Sequence, residues 1–292
     1  MKLSERGPGG MGRPAGVWTE IKSLQVPGAR LHYEVRGAGP LLLMIAGAPA
    51  DAGALAGPAA CLADRYTVVT YDQRGLSRST LTTTPTDQDV TVFSQDASLL
   101  LAALGDEPAF VLGNSGGALT ALDLAVRHPE QVRALVVHEP PVPEVLPDRE
   151  QWRAVFQDVH DTYREHGAAA AMGKFIATVD GPDSPPPAMP DPSQMPAEAL
   201  EMMGRIQGNL DHFLAHVLLP VLRFEPDIAA LRSGPVPVTV GVGEASGNGV
   251  PVLAARVLAE KLGTEPLAFP GDHQGLALNA ATSAEIIHAA FA

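Results

Sequence analysis

The sequence predicts an α/β fold: a doubly wound, mostly parallel sheet that carries a helical insertion. Short apolar or β-branched segments alternate with segments whose apolar residues recur at helical spacing, as expected for parallel strands joined by crossover helices. The strand segments are apolar on both faces, which is typical of a sheet covered on both sides. The alternation stops over residues 140–225, where we find only helical patterns. We therefore predict an α/β core over 17–139 and 226–292 and a helical cap over 140–225.

Length, charge and cysteine content restrict the class of protein. A chain of 292 residues can bury a substantial core. Its single cysteine, Cys61, excludes an intramolecular disulfide and is compatible with a cytoplasmic protein. The net charge of −13, without a basic cluster, argues against nucleic acid or an anionic membrane as a partner. No apolar run is long enough to span a bilayer. Residues 1–16 are rich in Gly and Pro and lack the apolar run of a secretory signal, so we predict a disordered tail there.

The predicted elements begin with a β-hairpin. Residues 24–26 and 31–35 flank Pro27-Gly28-Ala29, which is a turn signal. Apolar runs then predict strands at 41–46, 67–71, 110–112, 134–137, 236–242 and 266–269. Helical spacing predicts core helices over 93–104, 118–126, 252–262 and 284–291. It also predicts helices of the insertion over 152–163, 172–179 and 200–218, the last ended by Pro220, with a loop at 180–196.

One motif between a predicted strand and a predicted helix points to nucleophilic chemistry. Gly113-Asn114-Ser115-Gly116-Gly117 has the G-x-S-x-G pattern and follows strand 110–112 directly. In such a turn the serine hydroxyl stands clear of the sheet, and glycines two residues to either side avoid collisions. The N–H of Gly116, at the head of the helix, can face a developing oxyanion. The pattern alone is weak, because a glycine-rich turn can hold a serine that merely caps a helix. Its strand–turn–helix context favours Ser115 as a nucleophile.

Three motifs in the right order resemble the α/β-hydrolase superfamily, from about residue 24 to the C-terminus. Besides the serine motif, residues 71–79, YDQRGLSRS, are similar to the family's D-x-R-G-x-G/S-x-S loop, and residues 128–132, HPEQV, to its H-P-E-x-V segment. Residues 140–225 fall where the family inserts its cap. The resemblance implies a serine, an acid and a histidine in that chain order, a small-molecule substrate and no cofactor. It implies a structural role for Asp72 and Arg74, and it leaves the oligomeric state open.

The candidate base is His273. Gly271-Asp272-His273-Gln274-Gly275 follows the last predicted strand and resembles the family's G-x-H loop. The other eight histidines fit this role less well, because they flank strands or lie in the insertion or the last helix. His212 and His216 are four residues apart, as in some metal sites, but no third ligand is apparent. We therefore predict no metal site.

The acid departs from the commoner family pattern. It usually ends a G-x-x-D turn after the cap, but here Gly243-Glu244-Ala245-Ser246 places a serine at that position. A serine cannot stabilise an imidazolium as a carboxylate does. Glu139, at the end of the sixth core strand, keeps the chain order and is the preferred candidate. Glu244 remains the alternative, and a dyad without an acid stays open.

The resemblance also assigns an oxyanion donor and a substrate pocket. The loop after the third strand often reads H-G in the family and here reads Ala46-Gly47-Ala48-Pro49, so the backbone N–H of Ala48 is the second donor. The insertion is expected over the carboxyl ends of the strands, where ligands bind in open α/β sheets. The candidate substrate-binding residues on its helices are Met172, Phe175, Met203 and Phe213. Plain core packing is the alternative for each of them.

These residues predict a serine hydrolase. The expected substrate is an apolar ester, lactone or similar carbonyl compound, cleaved through an acyl-enzyme. Because fold alone does not fix the reaction, lyase, perhydrolase and cyclase chemistry in the same pocket stay open. From another class, a ligand-binding receptor on this fold is the main alternative. The displaced acid and the missing oxyanion-loop histidine favour that alternative.

Overall fold

A computed structural model describes residues 19–181 and 195–292. Within these ranges, nine strands form one sheet: β1 (Thr19–Val26), β2 (Ala29–Arg36), β3 (Leu41–Ile45), β4 (Thr67–Tyr71), β5 (Thr80–Leu81), β6 (Ala109–Asn114), β7 (Val132–His138), β8 (Val238–Gly243) and β9 (Leu267–Phe269). Their order is β1-β2-β4-β3-β6-β7-β8-β9, with β5 paired to β2. β2 is antiparallel to β1, β4 and β5, whereas all pairs from β4 to β9 are parallel. The predicted mostly parallel sheet is confirmed.

Helices cover both faces of the sheet. The core helices are α1 (Ala56–Leu62), α2 (Val90–Leu104), α3 (Gly116–Arg127), α8 (Ile228–Ser233), α9 (Val250–Leu262), α10 (Gly275–Leu278) and α11 (Ala280–Phe291). Buried residues of α2, α3 and α9 pack with one face of the strands. Those of α1 and α11 pack with the other face. Burial on both sides explains why central strands such as β3 are continuously apolar, and it makes the sheet a rigid support for the loops at its carboxyl edge.

The helical insertion lies between β7 and β8. Its described helices are α4 (Arg149–His166), α5 (Ala168–Asp180), α6 (Ala197–His212) and α7 (Leu218–Leu222). No strand occurs in residues 140–181 or 195–225. Phe156 of α4 and Phe213, which follows α6, pack with Phe93 of α2 and Leu119 of α3 in one buried cluster. The insertion thus shares a core with the sheet domain, and the exact boundaries of the cap stay a prediction.

The predicted end of the long insertion helix at Pro220 is wrong. The helix continues from α6 through a wider π-helical turn, Phe213–Val217, into α7, which ends at Leu222. Proline has no N–H to donate to the carbonyl four residues earlier, here that of His216. The carbonyl oxygen of His216 accepts instead from Gln88 N at 2.9 Å. An acceptor outside the helix therefore satisfies the carbonyl that Pro220 leaves free, and the helix need not stop.

Some elements of the structure were not predicted from the sequence, and some predicted segments lie outside the described residues. Three short helices, α1, α8 and α10, and the two-residue strand β5 were not predicted, because each is too short to show periodicity. The predicted tail at 1–16 and most of the predicted loop at 180–196 lie outside the described residues. In the part of the chain that is described, no helix has both the length and the apolar character needed to cross a bilayer.

Candidate active site

Ser115 occupies the sharp turn between β6 and α3. Its backbone has φ 53° and ψ −128°, a left-handed conformation that a residue with a side chain rarely adopts. Its N–H donates to His138 O on the neighbouring strand at 2.9 Å. The flanking glycines are required by close contacts: a Cβ at Gly113 would lie 2.5 Å from Ala118 Cα, and one at Gly117 would lie 2.2 Å from Ile45 O. The motif therefore folds into the elbow expected of an exposed nucleophile.

His273 and Glu139 complete a hydrogen-bonded chain with this serine. His273 lies in the loop after β9, and its Nε2 is 3.2 Å from Ser115 Oγ. On the other side of the ring, Nδ1 is 2.5 Å from Glu139 Oε2. Glu139 directly follows β7, is fully buried and has φ 46°, so its side chain is directed from a strained backbone position. Three residues from three separate loops at the carboxyl edge of the sheet are thus connected by two consecutive hydrogen bonds.

Glu139 is held by donors on its second oxygen. Oε1 accepts from Gly243 N at 2.8 Å and from Ser246 Oγ at 2.5 Å. Ser246, at the position where the sequence led us to expect an acid, therefore binds the carboxylate that contacts His273. The two other candidate carboxylates differ from Glu139 in their surroundings. Glu244 is exposed to solvent, and Asp272 Oδ1 accepts a hydrogen bond from Gln274 N at 3.0 Å.

Burial and the neighbouring histidines together determine the charge of Glu139. Burial alone would raise the pKa of Glu139, but the hydrogen bond and charge of His273 outweigh it, and the pKa lies below its usual value. Glu139 is therefore ionised at neutral pH and can stabilise a protonated His273.

His138 is a second, fully buried imidazole beside the site that the sequence analysis treated only as a strand residue. Its Nδ1 is 2.9 Å from Asn114 Oδ1. Because an amide oxygen only accepts hydrogen bonds, His138 donates from Nδ1. Burial lowers the pKa of His138 to about 4. It is therefore neutral at pH 7, and it fixes the side chain of Asn114, the residue immediately before Ser115.

Two backbone nitrogens, those of Gly116 and Ala48, lie close together beside Ser115. Gly116 N is the first nitrogen of α3, and the first N–H groups of a helix have no acceptor within the helix. The loop after β3 approaches it closely, since a Cβ at Gly47 would lie 2.9 Å from Gly116 N. Ala48 N is 3.7 Å from the position that a Cβ of Gly116 would take. The arrangement can present two donors to one oxygen.

Side chains of α6 hold this loop, a contact that the sequence analysis missed. Asn209 Nδ2 donates to Pro49 O at 2.8 Å, and Arg205 Nε donates to the fully buried Asp51 at 2.5 Å. Asn209 Oδ1 also accepts from Ser77 N at 2.6 Å. Arg205 and Asn209 are one helical turn apart, so one face of the insertion helix contacts the loop that presents Ala48. Polar residues on an amphipathic helix give no sequence signal of such partners.

The expected structural role of Asp72 and Arg74 agrees with their contacts. Asp72 forms a two-pronged ion pair with Arg78, with N–O distances of 2.8 Å, and also accepts from Ala52 N at 3.0 Å. Arg74 Nε donates to Asp96 of α2 at 2.6 Å. These contacts connect the loop after β4 to α2 and to the segment that follows Ala48.

Two cavities meet at Ser115 and Ala48. The inner cavity measures about 30 Å³ and the outer one about 680 Å³. Of the predicted substrate-binding residues, Met172 lines the outer cavity, Phe213 the inner one and Phe175 both. Met203 lines neither, so neither cavity supports that expectation. Its neighbour Met202 contacts Gly53 near the loop that presents Ala48, and consecutive helical residues point about 100° apart.

No group of three metal-ligating side chains occurs within residues 19–181 and 195–292. The rings of His212 and His216 are 5.5 Å apart. His216 Nδ1 is 3.4 Å from Asp87 Oδ1.

Comparison with known proteins identifies a family model and relatives that together cover most of the chain. Residues 40–182 match the family model described as alpha/beta hydrolase fold. The chain is 35% identical over 270 residues to the "Uncharacterized hydrolase YraK" of Bacillus subtilis (strain 168), covering 91% of this chain and 94% of that protein.

Solved structures share the fold at low identity. A hydrolase from Pseudomonas aeruginosa PA01 superposes with a TM-score of 0.71 at 18% identity, over 92% of this chain and 97% of that one. The enol-lactonase from Burkholderia xenovorans LB400 has a TM-score of 0.69 at 17% identity, over 92% of this chain and 99% of that one.

Proposed function

The chain belongs to the α/β-hydrolase family, and on that premise we propose that it is a serine hydrolase that cleaves apolar carboxylic esters or lactones through an acyl-enzyme. The observation that carries the proposal is the continuous chain from Ser115 Oγ to His273 Nε2, at 3.2 Å, and from His273 Nδ1 to Glu139 Oε2, at 2.5 Å. A nucleophile within reach of a base, and a base oriented by a third group, is the arrangement that activates a hydroxyl.

Acylation follows from these distances. His273 Nε2 accepts the proton of Ser115 Oγ while that oxygen forms a bond to the carbonyl carbon of the substrate. The carbonyl oxygen becomes an oxyanion, which accepts hydrogen bonds from the N–H groups of Ala48 and Gly116. Collapse of this intermediate breaks the bond to the alcohol oxygen. His273 returns the proton to the departing alcohol, and Ser115 remains acylated.

Deacylation repeats the sequence with water. His273 removes a proton from a water molecule whose oxygen attacks the acyl carbon, and the bond to Ser115 Oγ breaks. The same proton then reprotonates Ser115 and the carboxylic acid leaves. Throughout, the ionised Glu139 keeps the Nδ1 proton of His273 in place and balances the charge of the imidazolium.

A ligand-binding protein without turnover is the alternative from the sequence. It drew support from the serine at 246 and from the missing histidine before Gly47. A buried carboxylate 2.5 Å from His273 Nδ1 weakens the first argument. The missing side chain does not affect the second donor, because that donor is the backbone N–H of Ala48.

Covalent labelling tests the proposal. A fluorophosphonate probe should modify Ser115, located by peptide mass spectrometry, and Ser115→Ala should abolish both labelling and hydrolysis of p-nitrophenyl esters, with kcat reduced by roughly four orders of magnitude or more. Ser283→Ala is a matched control, because it removes the hydroxyl of a buried serine in α11 that lines neither cavity at Ser115. A protein that remains unlabelled and shows no turnover of esters or lactones would refute the hydrolase mechanism.

A further inference from the structure

The two cavities at Ser115 differ in size, in lining and in their access to His273. His273 lines the outer cavity, whereas the lining of the inner cavity contains Ser115 and both proposed oxyanion donors, Ala48 and Gly116, without the imidazole. A substrate carbonyl at Ser115 therefore has one substituent on the side of His273 and the other on the side away from it.

The proton transfer decides which substituent lies where. The imidazole that takes the serine proton returns it to the leaving alcohol, so the alcohol oxygen must lie within hydrogen-bond reach of His273 Nε2. The alcohol portion consequently occupies the outer cavity, and the acyl chain extends into the inner one. This assignment rests on the proposed acyl-enzyme mechanism.

The inner cavity limits the length of the acyl chain. Its volume of about 30 Å³ corresponds to about two water-sized spheres, since one sphere requires roughly 10–15 Å³ in this measure. Its wall is mostly apolar, apart from Gln73 and Thr120, and comes from both the sheet domain and the insertion. It includes Phe93 from α2, Phe156 from α4 and Phe213 after α6. These rings are nearly completely buried and belong to one packed cluster, so enlarging the cavity requires moving the core.

The outer cavity suits a large leaving group without negative charge. Its volume of about 680 Å³ falls in the range of drug-sized ligand sites. Its described lining includes Asp180 and Asp272 but no lysine or arginine. On a protein with a net charge of −13, an anionic leaving group would meet repulsion both within this cavity and over long range.

We propose that the substrates are esters of short carboxylic acids, of two to four carbons, with bulky, uncharged or cationic alcohols. The inner cavity around Phe213 sets the acyl length, and the outer cavity around His273 receives the alcohol.

Two isomeric esters test the orientation directly. 2-Naphthylmethyl acetate and methyl 2-naphthylacetate have the same atoms and are both alkyl esters, but they carry the ring on opposite sides of the ester group. We expect kcat/KM for the acetate to be at least tenfold higher. A preference for the methyl ester would overturn the assignment of the cavities.

The length of the acyl chain tests the inner cavity, and the charge of the leaving group tests the outer one. Across p-nitrophenyl acetate, butyrate and octanoate, kcat/KM should fall at least tenfold from butyrate to octanoate. kcat/KM should be higher for 4-carbamoylphenyl acetate than for 4-carboxyphenyl acetate, and Asp272→Asn should lower the ratio of these two values. Equal or better hydrolysis of the octanoate would refute the length limit, and indifference to the carboxylate would refute the charge preference.

A variant pair identifies the wall that limits the acyl chain. Phe213→Ala should raise the ratio of octanoate to acetate hydrolysis at least tenfold, whereas Met203→Ala, which alters a side chain lining neither cavity, should leave it unchanged. Val221→Ala makes a smaller opening in the same wall and serves if Phe213→Ala fails to fold. The ratio must rise in at least one of these two variants for the proposal to stand.

These outcomes are distinguishable from failure of the hydrolase mechanism. If fluorophosphonate labels Ser115 and esters are cleaved with the opposite preference, only the cavity assignment is wrong. If Ser115 stays unlabelled and no ester is cleaved, the mechanism itself fails.

Discussion

Ser246 Oγ donates to Glu139 Oε1 at 2.5 Å, although the two residues are 107 positions apart in the chain. Ser246 lies in the turn after β8, at the position where the family resemblance in the sequence led us to expect an acid, and Glu139 directly follows the adjacent strand β7. The carboxylate that contacts His273 therefore lies one strand away from the expected position, and the residue at that position is its hydrogen-bond donor. The other oxygen of Glu139 stays 2.5 Å from His273 Nδ1.

This relationship predicts which change abolishes activity and which restores part of it. Glu139→Gln should lower kcat by about 1,000- to 10,000-fold, because a neutral amide neither fixes the tautomer of His273 nor balances its charge. Ser246→Asp placed in a Glu139→Ala background should recover at least tenfold over Glu139→Ala alone, measured as kcat on p-nitrophenyl butyrate. Glu244→Gln is the control, since that side chain is exposed. If Glu244→Gln rather than Glu139→Gln removed activity, the assignment of the acid would be wrong.

The buried His138 predicts a loss of stability in mild acid. In the folded protein burial lowers its pKa to about 4, whereas an unfolded chain has a histidine pKa of about 6.5. The neutral imidazole therefore contributes stability above pH 6.5 that is lost as the pH falls towards 4, by about 3 kcal/mol. The free energy of unfolding, measured with urea at pH 7.5 and pH 4, should fall less for His138→Gln than for the wild type.

His166→Gln provides the comparison, because that side chain is 67% exposed and should leave the wild-type pH dependence intact. An NMR titration of the His138 ring in the wild-type protein gives a readout that does not need the variant to fold. A midpoint near 6.5 would contradict the account.

The fold could be predicted from the sequence because its determinants are local and repeated. Central strands such as β3, residues 41–45, are continuously apolar. Gly113 is required by contacts within the strand–turn–helix unit itself, whereas Gly117 is required by its contact with the end of β3. Ser115 and His273 could be assigned because each follows a strand whose end is visible in the sequence. Glu139 was the preferred acid because it ends a predicted strand and keeps the order of serine, acid and histidine that the family resemblance implies.

The contacts that could not be predicted join distant segments through side chains. Nothing near Asn209 in the chain indicates that it binds the carbonyl of Pro49, which is 160 residues away. The continuation of the helix past Pro220 depends on Gln88 N, which supplies the hydrogen bond that His216 O would otherwise lack. Met203 was assigned to the pocket by composition, whereas the orientation of α6 is set by its packing and polar contacts.

Asn209 is expected to act as a positioning residue for Ala48, the proposed second oxyanion donor. Asn209→Ala removes the hydrogen bond to Pro49 O and frees the loop, so kcat should fall about tenfold with KM little changed, because an oxyanion donor acts mainly in the transition state. Affinity for a trifluoromethyl ketone inhibitor should fall in parallel. Gln207→Ala, on an exposed position of the same helix, should change neither. A change confined to KM, or in thermal stability alone, would show that Asn209 is merely structural.

Neighbouring glycines in the serine motif should respond oppositely to the same substitution. A Cβ at Gly117 would lie 2.2 Å from Ile45 O and 2.8 Å from Ala46 O, both backbone atoms of the adjacent strand and its exit. A Cβ at Gly116 has nothing nearer than Ala48 N, at 3.7 Å, which is ordinary contact. Both residues are in α3, where alanine is otherwise favoured over glycine by about 1 kcal/mol.

Gly117→Ala must therefore push β3 and α3 apart and should lower the free energy of unfolding by about 2–4 kcal/mol. Gly116→Ala should leave stability equal or slightly higher and retain fluorophosphonate labelling of Ser115. Urea unfolding of the two variants at pH 7.5 measures the difference. Because helix propensity is the same at both positions, only the contact with Ile45 O can separate them. Equal stability of the two variants would mean that the elbow is not packed against β3 as closely as these distances require.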